Sequence, residues 1–341
     1  GVYRIPRYLD LHTDGVTLRG ASGKRENVVL DGGNIGELVG ITACSGVTIA
    51  DLTIQNVRWN GIKINSNRNV QRGTIHNVIL HNVWQRGIKG VRATGERPSD
   101  FLVQYCLFYN DRPKTYADDP TDNPETFGGN YIGGMDIMNA RRWVIRDNVF
   151  MGIRGRTGAA RGAVFLWMET EDCIVERNII VDCDSGICLG NSHKPLEVPV
   201  HAIRCVVRNN FVTRAPENGI LADYTRDCKI VHNTLYDPRS RLGRLIRIVH
   251  DNDGLVVANN LLCGPPVRNE STSRVELRGN VERDLGAFLV APAEGNLRFK
   301  APPPPEAKES VVPFPEVVED IDRQPRGATP DPGAHQWRPA R

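Results

Sequence analysis

Apolar residues along this chain recur in one frame: an apolar residue, one gap, an apolar residue, two gaps, an Asn, one gap, an apolar residue. The frame is read at Trp143, Ile145, Asn148 and Phe150, then at Cys173, Val175, Asn178 and Ile180. It returns at Cys205, Val207, Asn210 and Val212, and again at Cys228, Ile230, Asn233 and Leu235. Leu255, Val257, Asn260 and Leu262 repeat it, and Val275, Leu277 and Asn280 repeat it in part. Earlier copies keep the apolar positions without the Asn, at Val47, Ile49, Leu52 and Ile54 and at Phe101, Val103, Cys106 and Phe108. A period of 20 to 32 residues, with one longer step, predicts a solenoid of stacked coils.

Alternate residues of a strand share a face, so Trp143 and Ile145 point the same way. The double gap breaks that alternation and marks a corner. An Asn amide has donors and an acceptor for backbone groups freed at a bend. Coils stacked about 4.8 Å apart also let successive amides bond one another. Asn148, Asn178, Asn210, Asn233, Asn260 and Asn280, all in phase, therefore predict an interior ladder.

A second motif precedes each copy. It reads Gly61-Ile62-Lys63-Ile64, Gly87-Ile88-Lys89, Gly134-Met135-Asp136-Ile137 and Ala163-Val164-Phe165-Leu166. It continues as Gly186-Ile187-Cys188-Leu189, Gly219-Ile220-Leu221-Ala222 and Leu245-Ile246-Arg247-Ile248. Its two apolar residues point inward and the residue between them points out. Each coil thus has three short strands, and the expected fold is an all-β parallel β-helix of about ten coils.

With these two motifs, the chain resembles the pectate-lyase-like right-handed β-helix proteins, which place an Asn ladder at the second turn and Gly-Ile-x-Ile in the first strand. The resemblance spans residues 15 to about 290. It implies a right-handed helix and identifies the scaffold more sharply than the chemistry, since one fold hosts many activities. The stretch from Asp320 to His335 resembles the ending of many secreted bacterial β-helix proteins.

The expected organisation is one β-helix over residues 1–290, with an edge coil or cap at 1–14. A Pro-rich extended tail follows at 291–341, including Pro302 to Pro305. Residues 109–133 break the period as an insertion. A long loop in a tight solenoid is usually functional or disordered. A shorter insertion, His193 to His201, borders the other side of the first-strand face, so the two loops are expected to frame a groove.

Composition narrows the partners. With 33 Gly and 22 Pro in 341 residues, many turns are accommodated. A net charge of +3 with mixed signs gives no case for nucleic acid. No apolar run approaches the roughly 20 residues of a membrane span. The chain begins without Met in a strand-like segment, Val2 to Ile5, as expected of a mature form or fragment. Secretion, to the extracellular space or periplasm, is expected from the resemblance. The eight cysteines are expected in the core as small hydrophobes, because Cys173, Cys205 and Cys228 share one inward position. No Cys-x-x-Cys pair supports zinc.

Candidate chemistry lies on the outward columns of the first strand. One column runs Lys63, Lys89, Asp136, Phe165, Cys188, Leu221, Arg247. The next runs Asn65, Val91, Met138, Trp167, Gly190, Asp223, Val249, with Glu169, His193, Tyr224 and His250 just beyond. Trp167 is expected to stack on a sugar ring, and Glu169, His193, Asp223, Tyr224 and His250 to contact substrate. The leading expectation is a lyase that cleaves an acidic polysaccharide by β-elimination. That reaction needs a base beside the acidic carbon and a neutralised carboxylate. Lys89 or Lys63 is the expected base, since stacked lysines depress each other's pKa. Asp136 and Arg247 complete the set. A bound Ca²⁺ is considered, held by Asp136 with Asp118, Asp119 and Asp122 of the insertion. The alternative is a non-catalytic, glycan-binding surface protein. Glycoside hydrolysis ranks below both, because it needs two carboxylates about 5 to 9.5 Å apart and no such pair stands out. A monomer is expected.

Overall fold

The computed structural model describes residues 1–339 of the chain. Most of its strands are short, nearly all are parallel, and those of the main sheet pair with their counterparts one coil away. The second strands stack Leu18, Ile49, Ile75, Val103, Ile145, Val175, Val207, Ile230, Val257 and Leu277 in register. Ten residues in one inward column correspond to ten coils of a parallel β-helix. The first strands stack Lys63, Lys89, Asp136, Phe165, Cys188, Leu221 and Arg247 as one outward column.

The corner before each ladder Asn is made by one residue in the left-handed region. Asp147, Arg177, Asn209, His232 and Asn259 all have φ between 52° and 57°. Left-handed backbone costs an L residue roughly 1–2 kcal/mol, and the ladder behind it offsets that cost. Asn148 Nδ2 donates to Asn178 Oδ1 at 3.0 Å, and the pattern repeats through Asn210, Asn233, Asn260 and Asn280 at 2.9–3.0 Å. The same Nδ2 groups donate to carbonyls of the preceding coil, such as Val103 and Ile145. Cys106 occupies the position above Asn148, which accepts from its N–H at 2.9 Å.

Inside, aliphatic columns are supplemented by ring stacks, Phe101 on Trp143 at 4.3 Å and Phe108 on Phe150 at 4.4 Å. The glycine that opens a first strand answers to space. A Cβ on Gly134 would lie 2.4 Å from the Ala163 carbonyl oxygen. All eight cysteines are free thiols and buried.

The C-terminal segment lies along the later coils. Leu285, Leu289, Leu297, Ile321 and Ala334 cluster with Phe211, Leu261 and Cys263. Phe314 and Val317 cover Val231 and Ala258. Among the described residues no helix is long and apolar enough to cross a membrane.

Candidate functional site

The 109–133 insertion carries a buried charge cluster of its own. Lys114 is fully buried and sits 3.1 Å from Asp119 Oδ2 and 2.8 Å from Asp122 Oδ2. Below it, Asp136 receives Arg86 Nε and Lys89 Nζ, each at 2.8 Å, and Trp167 Nε1 at 2.9 Å. Three buried cations thus meet three buried carboxylates. Gln85 Nε2 and Trp59 Nε1 both donate to Asp119, and the Arg86 guanidinium lies 3.9 Å from the Tyr131 ring centre. Burial raises the Asp136 carboxyl, but Lys89 and Arg86 overcome it and hold the group at about 2.

This arrangement corrects several expectations. Lys63 and Lys89 are register neighbours, yet each turns to a carboxylate of its own. Lys63 binds Glu37 at 2.8 Å, and the Lys89 ammonium is held by Asp136. A base needs a free lone pair, and neither ammonium is placed to supply one. Asp136 has both oxygens filled by donors, which excludes it as a ready cation ligand. Asp118 is taken by Arg112 and Thr115, Asp119 by Lys114, and Asp122 by Lys114 and the N–H groups of Gly129 and Tyr131. The four aspartates do not converge, so they do not fit a Ca²⁺ cradle. Arg247 is paired with Glu270 at 2.7 Å.

Trp167 is also corrected. It is only 9% exposed, gives its N–H to Asp136, and stacks on Phe165 at 5.0 Å. With Met168, Leu221 and Val249 it lies in an apolar cluster covered by Val198 of the shorter insertion. Val198 packs into the cluster beside Trp167, whose N–H is already committed to Asp136. Glu169 is bound by Arg92, which also binds Glu197 of the covering loop. The backbone N–H of His193 donates to Asn191 Oδ1. Neither Glu169 nor His193 lines the open cleft over Phe165, Cys188 and Leu221.

That cleft, of about 280 Å³, lies further along the same face. Its floor is Phe165, Cys188 and Leu221 of the first outward column. Arg161, Asn191, Glu217 and Asn218 contribute polar walls, and Phe127 and Asn130 of the insertion form part of the rim. The Arg161 guanidinium has no carboxylate partner among the described residues. Asn218 is buried and its amide oxygen has no hydrogen-bond partner. Glu217, by contrast, is held by Arg244 at 2.8 Å. The wall is shaped from below by Asp184, which accepts from the N–H groups of Gly155 and Ala160 at 2.8 and 3.0 Å. Burial raises the Asp184 carboxyl and pushes the Cys188 thiol up to about 12, so that thiol is an apolar floor residue.

Past Leu221 on its strand, the structure brings together three predicted contact residues. Asp223 Oδ1 and His250 Nδ1 are 2.8 Å apart, and the imidazole stacks on Tyr224 at 4.7 Å with a 4° interplanar angle. Burial pushes Asp223 up to about 6, against the opposing pull of His250 and Arg247. Lys194 lies 5.1 Å from the Tyr224 ring centre.

Sequence reasoning missed Arg86, Lys114, Arg161, Glu217 and Asn218. A signal existed for two of them. Arg161 and Glu217 each stand two residues ahead of a first-strand motif, as does Asp184, so they extend the outward columns by one step.

A family model described as a right handed beta helix region matches residues 37–235. No curated protein matches the chain. Among solved structures, the pectate lyase Pel9A superposes with a TM-score of 0.56 at 13% identity, covering 99% of this chain and 86% of that one. The alginate lyase from Paenibacillus sp. str. FPU-7 gives 0.40 at 10% identity, covering 81% and 87%. PfbA, a surface adhesin of Streptococcus pneumoniae, gives 0.42 at 11% identity, covering 82% and 80%. At these identities the likeness is one of fold.

Proposed function

The chain belongs to the right-handed β-helix family, and on that premise we propose that it is an extracellular, carbohydrate-directed protein that holds an oligosaccharide in the cleft over Phe165, Cys188 and Leu221. The observation that carries this reading is the composition of that cleft: an apolar floor, unmatched polar groups on its wall, and an aromatic at its rim. An apolar floor suits the C–H face of a sugar ring, and convergent polar groups suit its hydroxyls. Arg161, with no carboxylate of its own, favours an acidic sugar unit, because guanidinium–carboxylate pairs are the stronger hydrogen bonds.

Binding is preferred over lysine-catalysed elimination, since Lys63 and Lys89 are both committed to carboxylates. A catalytic reading draws on one other observation. His250 is half-exposed and is oriented through Nδ1 by the buried Asp223. In that reading Nε2 is the outward atom available for proton transfer.

The test is incubation with a panel of uronate polymers and their neutral counterparts, with and without calcium. Binding of uronate oligosaccharides without new ultraviolet-absorbing ends is the expected result. Absorbing unsaturated ends support elimination. No binding to any polymer removes the carbohydrate reading.

A further inference from the structure

A second cleft, of about 490 Å³, opens at the corner between the first and second strands, away from the Phe165–Leu221 floor. The corner residues of successive coils form a column of alternating sign: Arg72, Asp100, Arg142, Asp172, Arg204, Asp227. All six have φ between 47° and 62°. Each N–H from Arg72 to Asp172 donates to a carbonyl of the next coil, so the column is held in rigid register.

Its ion pairs run in one direction. Asp100 accepts from Arg142 of the next coil through Nε and Nη2, both at 2.7 Å. Asp172 accepts from Arg204 of the next coil at 2.8 and 3.0 Å. Asp100 and Asp172 are both taken from the C-terminal side, and Arg72 at the start of the column has no carboxylate partner among the described residues. Beside it, Arg141 has no carboxylate partner either, since Glu171 is occupied by Arg97 and Arg204. Arg97 gives Nη1 to Glu171, while its buried Nη2 has no hydrogen-bond partner. A buried donor left unmade is costly, and an anion supplies the missing acceptor.

Four arginines, Arg72, Arg97, Arg141 and Arg142, line this cleft against the carboxylates of Glu96 and Asp100. The Asp100 carboxyl is held below its ordinary value first by its hydrogen bonds to Arg142, then by the nearby Arg141 and Arg72 charges. No aromatic side chain lines the cleft, which leaves no platform for stacking nucleic-acid bases.

We infer that this corner cleft is a second binding site, separate from the first-strand cleft, for the carboxylate or sulfate groups of an anionic polysaccharide. Arg72 and Arg141 are the contact residues, and Arg97 Nη2 is the buried donor behind them. This inference does not depend on the first-strand cleft holding a sugar.

The test is titration of the full chain with polygalacturonate, dextran sulfate, neutral dextran and a single-stranded oligonucleotide, at low and high salt. The wild type is expected to bind one or both charged polymers in a salt-sensitive way. The polygalacturonate and dextran sulfate arms tell a carboxylate from a sulfate. R72Q/R141Q is expected to bind them about tenfold more weakly, the sum of two partly exposed charge pairs. Both positions are exposed, so the melting temperature should hold; R141Q alone serves if the double variant is impaired. The same titration on R161Q separates the two clefts. Loss in R161Q alone overturns this inference and keeps the first-strand reading, and loss in R72Q/R141Q alone does the reverse. Undiminished binding by R72Q/R141Q, equal binding of neutral dextran, or tighter binding of the oligonucleotide also overturns it.

Discussion

The two halves of the first-strand face use the same column of the same strand for opposite ends. In the earlier half, Lys63, Lys89 and Asp136 are charged, and each charge is matched by a neighbour. The 109–133 insertion is fastened there by Trp59 and Gln85, which donate to its Asp119, and by Arg86 against its Tyr131, and Lys89 and Asp136 are buried. In the later half the column turns apolar, at Phe165, Cys188 and Leu221, and the cleft stands open above it. Unmatched polar groups stand on the wall of that cleft. Charge in an outward column is therefore a poor guide to a binding site. A carboxylate and two cations can satisfy one another, whereas a side chain without a partner is free to take one from outside.

Asp136→Ala should give the largest effect, since it leaves Arg86 and Lys89 buried without their carboxylate. The expected loss is about 3–5 kcal/mol of stability in chemical denaturation, in line with breaking a buried ion pair. A loss below about 1 kcal/mol would sink the contrast between a sealed half and an open half.

The two halves should also part company in their pH dependence. The Asp136 carboxyl sits at about 2 against an ordinary 3.8, so it stabilises above pH 4 and that contribution disappears as pH falls toward 2. Asp223 sits at about 6, so its contribution is present below pH 4 and disappears as pH rises through 6. Each is on the order of 2–3 kcal/mol by linkage. Denaturation midpoints of wild type and Asp223→Asn between pH 2.5 and 7 check this. The variant should lose the decline between pH 4 and 6 and keep the acid limb.

Smaller effects belong to the cleft itself. Arg161→Gln should weaken uronate oligosaccharide binding about tenfold in calorimetry, the scale of one charge-assisted contact. Its melting temperature should match the wild type. Phe127→Ala, at the exposed rim, should cost about threefold, as expected of one partial ring contact. If Phe127→Ala cost more than Arg161→Gln, stacking rather than charge would dominate recognition.

Much of the scaffold was legible in the residue pattern. Trp143, Ile145, Asn148 and Phe150 and their repeats placed the inward columns and the ladder, because a period-two strand and a left-handed corner leave a fixed spacing. The same spacing assigned Lys89, Asp136 and Trp167 to the outward face, and they are there. Their roles were not legible. Lys89 looked available, but Asp136, on the next coil and 47 positions further along the chain, takes both Lys89 and Arg86. Trp167 looked exposed, but it is buried in a cluster that includes Val198, from a loop with no repeat, and its N–H is spent on Asp136.

The sequence by itself determined the coil, its corners and which side of each strand faces water, because these follow from local alternation and one amide per turn. Only the tertiary structure decided which outward groups are spent and which are free. Ion pairing and loop coverage depend on distances between coils and on insertions that carry no period. Asp136 and Arg161 are alike in sequence terms, each an outward charge near a first strand. One is surrounded by three donors, and the other faces a cleft without a partner.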